Sequence, residues 1–307
     1  MILVCGIPSE PPVQAAIDAA RRGGLDCAVF DQRQAAAYEI VLDVDRGAVS
    51  GALVLADEAV ELGEIEGVYA RLVESDCLPF AGRGANLDEE RAHSRVLHAA
   101  LDEWLEAAPC RVANRSSAMA SNVSKPFQAG LIRRAGFETP PTLVTNLPEQ
   151  AQAFARANGQ VVFKSVSSVR SIVQRLDADR ALRLGRLRRL PTQFQRLVEG
   201  LNVRVHVVGS RVFATEIESD VVDYRYAARD GSEAAMRVVA LSPEMEARCR
   251  RLSASLQLPF CGIDLLRRPD GSYVCLEVNP SPAYTYYEEA TGQPIAEALV
   301  GYLAGRS

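Results

Sequence analysis

The first third of the chain alternates short apolar runs with stretches of helical period. Residues 2–5 (Ile-Leu-Val-Cys) have the pattern of a buried strand, 13–22 carry apolar positions at helical spacing, and 27–30 return to an apolar run. Pro11-Pro12 precedes the helical stretch and Gly23-Gly24 follows it. Proline suits a first helical turn, and glycine ends a helix at little steric cost. Strand, helix and strand in this order predict a parallel sheet. Runs at 49–55 and 67–72 add strands, and 88–107 reads as a long helix carrying the single tryptophan, Trp104. This third reads as a small α/β layer that closes near Pro109.

Further along, the pattern predicts helices over 127–135, 148–158, 243–256 and 294–303, and extended segments at 140–145, 160–165 and 194–198. Residues 203–208 and 211–217 flank Gly209-Ser210, a two-residue hairpin turn. That hairpin sets Arg204 opposite Thr215 and His206 opposite Phe213. Residues 179–190 hold Arg180, Arg183, Arg186, Arg188 and Arg189. They read as a solvated helix face, with a docking surface for an acidic partner as the alternative.

The most informative stretch is 261–280. Cys-Gly-Ile-Asp-Leu-Leu-Arg at 261–267 and Tyr-Val-Cys-Leu-Glu-Val-Asn at 273–279 flank Pro269-Asp270-Gly271, a turn sequence. A loop of 269–272 sets Asp264 opposite Glu277 and Gly262 opposite Asn279, so Asp264, Glu277 and Asn279 share one face with Gly262, Leu266 and Cys275. Cys261, Ile263, Leu265, Val274, Leu276 and Val278 fall on the other face. A slip of one residue would scatter the polar set. Two opposed carboxylates repel unless a cation sits between them. Oxygen ligands of this kind suit Mg2+, which keeps substrate phosphates as further ligands. A solvated outer face is the competing interpretation.

Composition narrows the classes. The chain has 307 residues, 48% hydrophobic and 24% charged, with a net charge of -5. That is the balance of a soluble globular protein and gives no support to general nucleic-acid binding. No apolar run approaches the ~18 residues a membrane span needs, and the first residues lack the basic stretch of a signal peptide. The seven cysteines form no Cys-x-x-Cys pair, and Cys5, Cys27, Cys261 and Cys275 lie in apolar runs. They read as reduced thiols of a cytoplasmic protein. His93, His98 and His206 have no zinc-site spacing.

Lys164 ends the run Val-Val-Phe-Lys, before a hydroxyl-rich loop at 165–171. Lys125 precedes Pro126 at a helix start, where an anion is favoured. Alone, each lysine reads as a solvated charge, and His206 as a packed histidine. Together Lys125, Lys164, Arg204, Asp264, Glu277 and Asn279 suit a nucleoside triphosphate. The Gly-x-x-x-x-Gly-Lys loop, the kinase His-Arg-Asp and Asp-Phe-Gly motifs and a Gly-x-Ser-x-Gly elbow are all missing from the sequence.

These residues resemble the ATP-grasp superfamily, especially its RimK-like peptide-modifying ligases. Gly-Ile-Asp-Leu-Leu at 262–266 and Leu-Glu-Val-Asn-Pro at 276–280 resemble the family's metal-ligand strands, and Lys125 and Lys164 its phosphate lysines. Phe194-Gln-Arg-Leu-Val-Glu199 is similar to the strand that reads adenine through backbone groups. Pro191-Thr-Gln-Phe-Gln, Val203-Arg-Val-His-Val-Val-Gly, Asp223-Tyr-Arg225 and Tyr69-Ala-Arg71 resemble pieces of the graspetide (microviridin-type) synthetases. Two departures stand out. The loop after Lys164 lacks the glycines common in RimK-like ligases. Pro-Ser-Pro-Ala-Tyr-Thr-Tyr-Tyr-Glu at 280–288 stands where graspetide enzymes more often have Gly and Trp.

The resemblance implies an α/β chain, α+β in its C-terminal half. An N-terminal Rossmann-like pre-ATP-grasp domain (1–110) would precede a central lid subdomain (111–192) and a C-terminal ATP-grasp subdomain (193–307). It implies a ligase that uses ATP and two Mg2+ ions to join a carboxylate to an amine or hydroxyl, acting on a ribosomally made precursor peptide. The alternatives are a RimK-like ligase adding an amino acid to a protein or small-molecule carboxylate, and a silent nucleotide-binding module. In this picture Asp264, Glu277 and Asn279 hold metal. Lys125 and Lys164 neutralise phosphates. Gln195, Leu197, Val198 and Glu199 bind the nucleotide. Arg204 and Arg225 stabilise the transferring phosphoryl group, and Asp223 orients Arg225. Tyr284, Tyr286 and Tyr287 either line the acceptor site or pack the last loop on the core. A homo-oligomer is implied as well.

Overall fold

The computed structural model describes residues 1–56, 58–74, 78, 87–166, 173–218 and 235–306. Among them the strands gather in four sheets. Strand Ile2–Gly6 is buried along its whole length, as its unbroken apolar run demands. It pairs in parallel with Cys27–Asp31 and with Gly67–Ala70, which continues in parallel to Arg111–Ala113. Helix Pro11–Arg22 makes the expected crossover, with proline in its first turn and Gly23 at its end. Beside this sheet lies an antiparallel meander, Glu39–Asp45, Ala48–Leu55 and Glu58–Glu61. Only its middle strand is among those expected from the sequence, as the run at 49–55. Trp104, 1% exposed on helix Leu87–Ala107, packs with both sheets in one core.

The second sheet is antiparallel, in the order Gln174–Arg175, Val161–Ser165, Thr192–Arg196, Thr142–Thr145. Helix Pro148–Asn158 covers one face through Ala151, which shares a core with Val161 and Phe194. The arginine-rich stretch is not one continuous helix. It forms a short turn of helix, Ala178–Ala181, and a 3-10 segment, Leu184–Arg189. Only Leu184 of that segment is buried, so the stretch has too little apolar stripe to support a full helix.

The third sheet runs Ala235–Val238, Arg211–Glu218, Leu201–Val208, Phe260–Arg267, Tyr273–Asn279, all antiparallel. The Gly209 turn gives the expected register, Arg204 with Thr215 and His206 with Phe213. Helix Pro243–Ser255, capped by the Ser242 hydroxyl, packs Cys249 and Leu252 on one face against Val203, Val205, Ile263 and Leu265. The final helix, Ile295–Leu303, packs against Ile2, Val13 and Ile17 of the first sheet and its helix. The approach is close: a Cβ at Gly67 would lie 2.4 Å from the Leu303 carbonyl oxygen.

One buried side chain joins the first and third sheets. Asn114, 2% exposed, lies just past the first sheet. Its Nδ2 donates to the carbonyls of Phe260 (2.6 Å) and Pro280 (2.5 Å), and its Oδ1 accepts from the Phe260 N–H (3.2 Å). It thus ties together the two far ends of the 260–280 hairpin. Asn114→Ala leaves a buried N–H and two carbonyls without these partners. The expected cost is about 2–4 kcal/mol, read as a lower urea midpoint at unchanged slope. A cost under about 0.5 kcal/mol, no more than a surface substitution, would show the bonds to be dispensable.

Candidate functional site

The 260–280 hairpin sets two rows of side chains across the third sheet. One row runs Thr215, Arg204, Asp264, Glu277 and the other Phe213, His206, Gly262, Asn279. The expected pairs Asp264–Glu277 and Gly262–Asn279 are present, although the loop is one residue longer than expected. Strand pairing ends at Arg267 and Tyr273, so five residues form the connection, with Asp270 Oδ1 accepting the Ser272 N–H. A bulge restores the register: Asp264 faces Glu277 but Leu265 faces Cys275, which leaves Leu276 unpaired. The expected faces change beyond it. Cys275, assigned to the acid face, is in the core with Ile263 and Val278, while Val274 lies opposite Leu266 on the acid side. Burial pushes the Cys261 thiol up to about 12 and that of Cys275 well above its usual range, so neither is a ready thiolate.

Both acids meet cations drawn from other elements. Glu277 Oε2 lies 3.1 Å from Lys125 Nζ and 3.4 Å from Lys164 Nζ. Lys164 reaches it from the second sheet, where it pairs with Gln193. Lys125 begins helix Lys125–Arg134, which is capped by Ser124. Gln128 fixes that helix to the Glu277 strand. Its amide, 1% exposed, donates to the Val278 carbonyl (2.8 Å) and accepts the Val278 N–H (3.0 Å). Asn279 Oδ1 accepts the Ser281 N–H at 2.9 Å.

Arg204 meets Asp264 Oδ1 through Nη1 at 2.6 Å and is 5% exposed. Its guanidinium lies over Gly262, where a Cβ would stand 2.1 Å from Nη2. His206 Nε2 accepts from Arg204 Nε at 3.4 Å. Burial, and then the charge of Arg204, holds the His206 imidazole well below its usual pKa, so it stays neutral. The ring of Tyr287 meets His206 edge-on, with 5.0 Å between centroids, and Arg204 Cζ lies 5.7 Å from its centre.

The expected nucleotide residues line two cavities. One of about 570 Å³ is bordered by Lys125, Lys164, Gln195 and Leu276. Another, of about 510 Å³, is bordered by Leu197, Val198 and Glu199, facing the Glu138–Arg268 ion pair. Gln195 donates to Thr142 Oγ1 at 3.1 Å. Arg225 and Asp223 lie outside the described residues, as does most of the loop after Lys164. Of the three tyrosines, Tyr284 is fully buried and donates to the Pro12 carbonyl, Tyr287 packs on Arg204, and Tyr286 is half exposed. Among the described residues no three His, Cys, Asp or Glu side chains cluster as a metal cage. The set here is two carboxylates and an amide oxygen, all hard oxygen donors of the kind Mg2+ takes.

Sequence reading missed Gln128 and Asn114, because a single buried amide has no local signature. The only hint is an isolated glutamine within a helix that follows a lysine.

The chain belongs to the RimK-like ATP-grasp family: the profile of the RimK-like ATP-grasp domain matches residues 124–303, more than half of it. Two relatives, each named probable alpha-L-glutamate ligase, come from Cellvibrio japonicus and Alkalilimnicola ehrlichii. The first is 30% identical over 161 residues, 52% of this chain and 50% of that protein. The second is 30% identical over 164 residues, 53% and 50%. The chain spans about half the length of these curated relatives. Solved structures match over nearly all of it. The ATP-grasp ligase PsnB, complexed with minimal precursor, is 28% identical with a TM-score of 0.78, covering 100% of this chain and 99% of that one. The macrocyclase MdnC of Microcystis aeruginosa MRC, bound with precursor peptide MdnA, shares the fold at 21% identity and a TM-score of 0.80, over 99% and 100%. Among the described residues no helix is long and apolar enough to cross a membrane.

Gly262→Ala forces the Arg204 guanidinium from its place. We expect a loss of about 1–3 kcal/mol, as for other overpacked positions, that nearly vanishes in an Arg204→Ala background. Chemical denaturation of the four proteins of this cycle measures it. Equal losses in both backgrounds would disprove the contact.

Proposed function

We propose that the protein is an ATP-dependent ligase that joins a carboxylate to an amine or hydroxyl, with a peptide as substrate. The observation that carries this reading is the convergence of Lys125, Lys164 and Arg204 on the opposed acids Glu277 and Asp264. Such a set neutralises a polyphosphate and needs no covalent nucleophile. Support also comes from PsnB, 26% identical over 98% of both chains, whose complex holds a precursor variant, Mg and ADP.

In this reading Asp264, Glu277 and Asn279 hold two Mg2+ ions. Bound there, Mg2+ neutralises phosphate charge and orients the transferring group. Lys125 and Lys164 exchange their contact with Glu277 for nucleotide phosphate. Leu197 and Val198 face adenine, and Gln195 and Glu199 complete the nucleotide contacts. Arg204 holds a planar fork toward the transferring phosphoryl group, and neutral His206 keeps the Arg204 Nε occupied. The γ-phosphoryl moves to a carboxylate oxygen and ADP leaves. The amine or hydroxyl of the acceptor then attacks the acyl carbon, loses its proton, and phosphate departs. The catalytic part of this chain is charge placement and alignment of the two reactants.

A second reading, addition of an amino acid to a protein or small-molecule carboxylate, draws support from the glutamate-ligase relatives, over half their length.

Asp264→Asn should keep the fold, since the amide is nearly isosteric, and reduce substrate-dependent ADP formation by a factor of at least ~100. A fully active variant would sink the metal assignment. Co-expression with short acidic peptides encoded beside the gene tests the substrate. Loss of one water mass per bond formed is the expected result. Amino-acid addition to the peptide would favour the second reading, and ADP release indifferent to any added carboxylate would overturn both.

A further inference from the structure

The loop after Asn279 is held from the first sheet as well as from its own. Asn279 Oδ1 accepts the Ser281 N–H, so the facing of that amide depends on where Ser281 lies. Arg71, just past strand Gly67–Ala70, fixes Ser281. Its Nη1 donates to the Ser281 carbonyl (3.1 Å), the Ser281 hydroxyl (2.7 Å) and the Pro282 carbonyl (3.2 Å). Its Nε and Nη2 donate to one oxygen of Glu10, at 2.8 and 2.7 Å. Glu10 is the residue at which helix Pro11–Arg22 begins, and the Arg71 N–H bonds to the Cys5 carbonyl at 2.9 Å. The Arg71 side chain is 13% exposed, and its planar fork is held at both ends. It links residues 61 and 210 positions away in the chain.

We propose that Arg71 is a positioning residue for the divalent-cation site, setting the Asn279 amide oxygen through Ser281. This rests on the reading of Asp264, Glu277 and Asn279 given above. Partners that orient a metal ligand typically change metal affinity by roughly 10- to 100-fold when removed. A lysine at 71 keeps the charge but cannot grip Glu10 and the Ser281 loop together.

The test uses the full chain and Mn2+ as probe, titrated by electron paramagnetic resonance with ADP present. Arg71→Lys is expected to bind Mn2+ roughly 10-fold more weakly, with ADP affinity in EDTA and metal-free melting temperature unchanged. A merely structural role would instead lower the melting temperature and ADP affinity and leave Mn2+ affinity in the folded fraction as it was. Ser281→Ala, in an exposed loop, keeps the Arg71–Glu10 pair and removes one acceptor. It is expected to lose about threefold in Mn2+ affinity, as for one neutral hydrogen bond, and decides the matter if Arg71→Lys fails to fold. Wild-type Mn2+ affinity in the folded variants overturns the proposal alone. Failure of the wild type to bind Mn2+ with ADP overturns the cation site itself, and this proposal with it.

Discussion

Two carboxylates stand directly opposite each other on neighbouring strands, and much of the molecule is arranged around that fact. Like charges at paired positions of a ladder destabilise a sheet. Here the repulsion is offset by cations from three separate elements: Arg204 from the next strand, Lys125 from a helix start, and Lys164 from another sheet. The second sheet and the Lys125 helix are therefore drawn to the third sheet electrostatically as well as by packing. An anion entering among these cations competes with Glu277 and Asp264 for the same charges. Ligand binding and the relative placement of the two sheets are thus coupled by one set of ion pairs.

The strand pattern and turn chemistry made the acid face legible in advance, but partly through two departures that cancel. The connection is one residue longer than the turn residues imply, and Leu276 bulges out to absorb it. Pattern alone cannot register this, because Val-Cys-Leu at 274–276 is apolar at every position and either phase fits a buried strand. The price of the ambiguity falls on Cys275 and Val274, which take the faces opposite to those expected. The bulge also brings Leu276 to the cavity beside Lys125 and Lys164.

What sequence reading could not reach is long-range and polar. The 148–158 helix and the Gly209 hairpin are specified by neighbours in sequence and were fully legible. Asn114 and Gln128 act on partners 146 to 166 residues away and no motif marks them; Arg71 stands in the Tyr69-Ala-Arg71 motif, but nothing local points to its partners 210 and 211 residues on. The meander strands Glu39–Asp45 and Glu58–Glu61 are largely exposed, and their short apolar runs, Ile40-Val41-Leu42 and Ala59-Val60, sit between acidic residues. For Tyr284 and Tyr287 the sequence leaves acceptor lining and core packing both open; Tyr284 is a buried packing residue and Tyr287 a wall for Arg204.

The packing of the final helix against the first strand and helix sets a temporal order. Ile2, Val13 and Ile17 share one core with Ile295, Leu299 and Leu303, which lie far along the chain. During synthesis these early residues lack part of their cover until residues 295–303 have left the ribosome. Contacts that span so much chain form slowly, and the open apolar face is vulnerable to aggregation meanwhile. The acid hairpin emerges shortly before that helix. The paired acids of the hairpin and this part of the cover of the first strand and helix are therefore completed almost together.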